Sequence, residues 1–93
     1  MKIPVVQNKD YIIYLEYYAN IYWLHADVFR WTKEVKNKFI KDLDTMQSLL
    51  NAPIYGLVDN DKLSKFGNIL KFKYVTDSVG VDGNVYKIYN RSI

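Results

Sequence analysis

The chain has 93 residues, 49% of them apolar and 25% charged, enough for one domain with a modest core and too little for a two-domain enzyme. Cysteine is absent, which excludes a disulfide framework, a thiolate zinc site and a cysteine nucleophile together. Thirteen basic against ten acidic residues leave a net charge of +3, too mild an imbalance to make nucleic acid the expected partner.

No apolar run approaches the ~18 residues of a membrane span, and the first ten residues lack the apolar stretch of a signal peptide, so the chain reads as soluble. Nine Tyr, four Phe and two Trp predict a small core in which large amphipathic rings stand in for aliphatic bulk.

Tyr11 to Tyr18 and Ile21 to Val28 are rich in β-branched and aromatic residues and are separated only by Ala19-Asn20, which predicts an antiparallel pair. Alternation puts Ile13, Leu15 and Tyr17 on one face and Tyr14, Glu16 and Tyr18 on the other, with Trp23, His25 and Asp27 sharing a face of the second strand. Alternation alone leaves open which face is the core. As an outer strand, Tyr11 to Tyr18 has only Glu16 as charge protection, so edge pairing into a homo-oligomer is expected to be available.

Thr32 is an N-cap, and Val35, Phe39, Leu43, Met46 and Leu50 follow at helical spacing, predicting a helix from about Thr32 to Leu50. Asn51 closes it, Pro53 stands just beyond, and Ile54 to Val58 reads as a buried strand joined by a right-handed parallel crossover. Asn60 or Asp61 caps a second helix to about Leu70, with Leu63, Phe66, Ile69 and Leu70 turned inward. Phe72 to Val79 and Val85 to Asn90 form a closing hairpin, with Asp82-Gly83-Asn84 supplying its turn. The expected architecture is one α+β domain over 1–93, ββαβαββ, a mixed sheet with helices packed on it.

That order, with Asn60, Phe66 and Phe72 at their mutual spacing, resembles the C-terminal two-thirds of the GNAT acyl-CoA N-acyltransferase fold from Ile21 onward. The resemblance implies a splayed pair of parallel strands holding acyl-CoA and a Gly-rich turn cradling its pyrophosphate. In this chain the motif can start only at Arg30, which places Lys33 and Val35 where glycines belong, and no glycine occurs before Gly56. The position of the family's proton-donating Tyr, seven residues after Asn60, is Gly67, and its Gly-Phe is Lys71-Phe72. A narrower match runs through Tyr22-Trp23, Val28-Phe29-Arg30-Trp31-Thr32, Lys36, Lys38-Phe39, Asn60 and Asp82-Gly83, and is similar to the small internal virion proteins of short-tailed phages. It implies a role in assembling the interior of the particle.

Arg30, Lys33, Lys36, Lys38 and Lys41 cluster over the first half of the helix, either an anion site or a solvated face shared with Glu34, Asp42 and Asp44. Phe29 and Trp31 flank Arg30: packed, Trp31 staples the helix onto Val35, and exposed, the three make a protein-binding hot spot. His25, the only histidine, has no orienting partner evident in sequence, and Glu16 would need burial to raise its pKa into the range of a base. One His and scattered carboxylates form no metal-ligand set, and no residue is singled out as catalytic.

The reading that follows is a non-catalytic phage protein on a degenerate GNAT-like scaffold, without a cofactor, acting in virion assembly or on a partner protein of phage or host. Its binding residues are Arg30, Lys33, Lys36, Trp31 and Phe29, and its setting is the virion or the host cytoplasm. A minimal acetyl-CoA-dependent N-acyltransferase is the first alternative and a nucleic-acid-binding protein the second.

Overall fold

The computed structural model describes residues 1–58, 67 and 69–92. Within them the chain forms β1 (Lys2–Gln7), β2 (Tyr11–Tyr18), β3 (Ile21–Val28), α1 (Lys33–Leu50), β4 (Ile54–Val58), β5 (Lys73–Val79) and β6 (Val85–Arg91). The six strands make one sheet in the order β1-β2-β3-β4-β6-β5, antiparallel throughout except for the β3–β4 pair, which is parallel across α1.

The ββαβαββ, GNAT-like expectation is corrected here: the described order is βββαβββ, a largely β mixed sheet with one helix among the described residues. The unforeseen strand is β1, whose six residues include Pro4 and lack strict alternation, and an edge position is where a sheet tolerates proline. The second helix, with Asn60, Asp61, Leu63 and Phe66, lies outside the described residues. At its expected end Leu70 is buried as anticipated, whereas Ile69 is exposed. Because β1 pairs along β2 from Lys2↔Glu16 to Gln7↔Ile12, Tyr11–Tyr18 is an interior strand. Edge pairing through that segment is therefore ruled out.

Local chemistry accounts for the joints. Ala19 and Asn20 both sit at positive φ, 54° and 63°, the two-residue geometry whose twist suits an antiparallel hairpin. Thr32 accepts a hydrogen bond from the Val35 N–H through its hydroxyl, 3.2 Å, satisfying one of the orphan donors of the first helical turn. Asn51 ends α1 in the left-handed region at φ 51°, and its N–H donates to the Gln47 carbonyl at 2.8 Å. Around the β5–β6 turn Gly83 takes φ 83°, and the Asp82 carboxylate accepts from the Asn84 N–H at 3.0 Å and the Tyr86 hydroxyl at 2.6 Å.

The helical stripe Val35, Phe39, Leu43 and Met46 packs on Tyr11 and Ile13 of β2, Ile54 and Val58 of β4, and Tyr89 of β6, with Leu70 and Phe72 closing the cluster. The face that alternation left open is thereby decided: Ile13 and Leu15 turn to α1, and Tyr14, Glu16, Trp23 and His25 turn away from it. No described helix or strand covers that second face. Both outer strands carry a register break, between Pro4 and Val6 in β1 and between Tyr74 and Thr76 in β5. No helix among the described residues is long and apolar enough to cross a membrane.

Candidate functional site

The parallel ladder between β3 and β4 is two residues long, Tyr22↔Ile54 and Trp23↔Tyr55. Both strands continue beyond it, β3 to Val28 and β4 to Val58, and no described residue pairs with their facing edges there. A cavity of about 820 Å³ opens along this separation, walled by Leu24, Ala26 and Val28 on one side and Val58, Phe72 and Tyr89 on the other. Central strands of a mixed sheet are ordinarily its most buried, yet Ala26 and Val28 of β3 are exposed.

The rim on the uncovered sheet face is mixed, with His25 and Lys2 beside the exposed Leu57. His25 lines the cavity, and its Nε2 lies 3.0 Å from Glu16 Oε1 across the β2–β3 ladder. Here the reading of His25 as lacking an orienting partner is corrected, since pairing brings nine residues of sequence separation into hydrogen-bond reach. Glu16 is corrected too: the His25 hydrogen bond, followed by that of the Met1 ammonium 3.3 Å away, holds its carboxyl below the usual carboxylate range. A carboxylate so stabilised orients the imidazole and is a poor base itself. The Lys2 ammonium stands 4.7 Å from the centre of the Tyr14 ring, and the Tyr14 hydroxyl donates to Asp27 at 2.9 Å.

Where β3 turns into α1 stand the five binding residues expected from the sequence. Trp31 lines the cavity itself, 37% exposed, and its ring meets Phe39 edge-on at 5.8 Å. Phe29 is 62% exposed, Arg30 and Lys33 are exposed and Lys36 is half-buried. The segment is anchored from below, because the N–H groups of Phe29 and Arg30 both donate to the Asp10 carbonyl, at 2.8 and 3.2 Å. Lys38 and Lys41 are exposed further along α1.

The residues at this junction do not fit the pyrophosphate of acetyl-CoA. No glycine lets a phosphate approach the backbone between Phe29 and Val35, the Thr32 hydroxyl is engaged by the Val35 N–H, and Glu34 places a carboxylate in the first helical turn. No acyl-transfer step is derived through it. Comparison of the chain with protein-family models, with curated proteins and with solved structures finds no match in any of the three.

The cleft itself went unread in the sequence. Its one visible sign is Gly56 in a five-residue apolar strand: a Cβ there would meet Phe72 at 3.9 Å, ordinary contact distance, so packing does not require the glycine and its effect is to leave the cavity wall bare.

Proposed function

We propose that this protein is a non-catalytic interaction module that binds a partner protein at the β3–α1 junction. The observation that carries the reading is the exposure of Phe29 and Trp31 on either side of Arg30 at the mouth of the cleft. Aromatic and Arg side chains held on a fixed backbone beside a concavity are the chemistry of interface hot spots, where truncating one anchor costs about 2 kcal/mol or more of binding. The likeness to internal virion proteins of short-tailed phages supports a setting in virion assembly or in contact with a host protein.

The test is site-specific photo-crosslinking in the native host, with benzoylphenylalanine replacing Phe29 in one protein and Leu49 in another. Leu49 is also exposed but lies in the last turn of α1, roughly 24 Å along the helix from its first residue, Lys33. A discrete protein adduct from position 29, absent from position 49 and lost with Arg30→Glu, supports the reading. Equal labelling from both positions, or none from position 29, overturns it.

A further inference from the structure

We propose that the separation between β3 and β4 accepts one extended segment of the partner as an additional, internal strand. This deepens the partner-binding reading above and rests on it.

Beyond Trp23 and Tyr55 two strands of one sheet run on in the same direction with their facing edges left without a described partner. Strand edges present rows of N–H and C=O groups, and a third backbone running between them answers both rows at once. Five residues, Leu24 to Val28, span roughly 16 Å in extended form, and Leu24, Ala26 and Val28 all line the cavity of about 820 Å³.

The two outer edges of the sheet are poorer acceptors. β1 carries Pro4 and a register break, and β5 carries a break of its own between Tyr74 and Thr76. Such irregularities twist an edge away from an incoming strand. No register break interrupts the β2–β3 or β4–β6 ladder that flanks the cleft. The strongest invitation to pair is therefore inside the sheet.

The walls specify the occupant. On the α1 side they are apolar, Leu24, Ala26, Val58, Phe72 and Tyr89, whereas His25, Lys2 and the exposed Leu57 stand on the opposite side. Because side chains alternate across a strand, the segment has apolar residues at every second position over about five residues, and the positions between them face the mixed surface of His25, Lys2 and Leu57. One wall of its exit is Trp31, which joins the strand site to the Phe29-Arg30-Trp31 anchor.

The experiment uses a random nonapeptide library displayed on yeast and sorted against the full chain, with the Ala26→Arg protein as the counter-selection. Ala26 is exposed, so the larger side chain blocks the cleft without entering the core, and circular dichroism verifies its fold. The expected result is enrichment of period-two apolar sequences whose synthetic forms bind the native protein and lose at least about tenfold in affinity on the Ala26→Arg protein. N-methylation at each of the five central positions in turn is expected to weaken binding about tenfold every time, because an internal strand uses alternate amides on β3 and the others on β4. Tolerance of N-methylation at alternate positions would mean edge addition and would overturn the proposal, as would enrichment that Ala26→Arg leaves unchanged. Displacement of the peptides by coenzyme A, with no period-two preference, would assign the cleft to a different ligand. If the crosslink from position 29 persists in the Ala26→Arg protein while no peptide is enriched, the partner reading stands and the internal strand falls.

Discussion

Arg91 enters the interior from the end of β6 at 5% exposure and donates from all three guanidinium nitrogens. Nε reaches the Leu70 carbonyl at 3.0 Å, Nη1 the Gln47 side-chain oxygen at 2.6 Å, and Nη2 the Asp44 carboxylate. Gln47 replies through Nε2 to the Arg91 and Ala52 carbonyls, at 2.5 and 3.3 Å. Arg91→Ala leaves several of these buried groups without partners and is expected to cost about 2–4 kcal/mol in urea unfolding. Asp44→Asn is expected to cost no more than ~1 kcal/mol, since Asp44 is 56% exposed at its side chain and exposed ion pairs contribute little. Equal losses would refute this division. The clamp had one sign in the sequence: Gln47 falls beside Leu43, Met46 and Leu50 on the inward stripe, a polar residue where apolar ones are the rule.

Tyr11 carries the second residue-level prediction. Burial first, and then its hydrogen bond to Asp42 at 2.5 Å, push its hydroxyl pKa well above the ordinary 10.0. The folded state therefore favours the protonated phenol, so this contribution is fully present below pH 10 and is lost as pH rises from there toward the folded-state value. Urea midpoints measured from pH 8 to 11 should fall above pH 10, and Tyr11→Phe should flatten that limb while costing about 1 kcal/mol at neutral pH. An unchanged alkaline slope in Tyr11→Phe would show that other groups produce it.

At the scale of elements, β2, β3, α1 and β4 were legible because each repeats one physical period over a full length between recognisable ends. Thr32 and Asn51 bracket α1 with cap chemistry that needs no tertiary context. β1 was not legible, because an outer strand with Pro4 is defined by the neighbour it pairs with rather than by its own pattern. The β2–β3 turn shows a local preference overruled, since Ala19 at φ 54° is a poor choice for a position that favours Asn or Gly. Replacing Ala19-Asn20 by Asn-Gly is expected to stabilise the protein by about 1 kcal/mol in urea unfolding. No gain would imply that the turn is strained in a way its φ values do not convey.

Over the whole molecule, the sheet has two irregular outer edges and, among the described residues, a seam between β3 and β4 that is unpaired beyond Trp23 and Tyr55. Bulged edges predict that the isolated protein stays monomeric, and sedimentation equilibrium up to about 100 µM checks this: self-association is mass action, so occupied pairing surfaces would show as concentration-dependent mass. A dimer that disappears in the Ala26→Arg protein would instead place a second copy in the seam. The uncovered face bears Trp23 and Tyr55 in ring contact at 5.7 Å, beside the Glu16–His25 pair, so aromatic surface beyond the cleft adjoins it.

Composition and periodicity by themselves determined a cysteine-free chain, the span and inward stripe of α1, the strands on either side of it and the parallel relation of β3 and β4. Those features depend on residues near one another in sequence, and their preferences act before any long-range contact forms. Only the tertiary structure decided that the Ile13 face is the core, that His25 meets Glu16, that Arg91 binds Gln47, and that β3 and β4 part after two residues. Each of these is a meeting of segments distant along the chain, and the free energy that selects it is a property of the packed pair rather than of either segment alone.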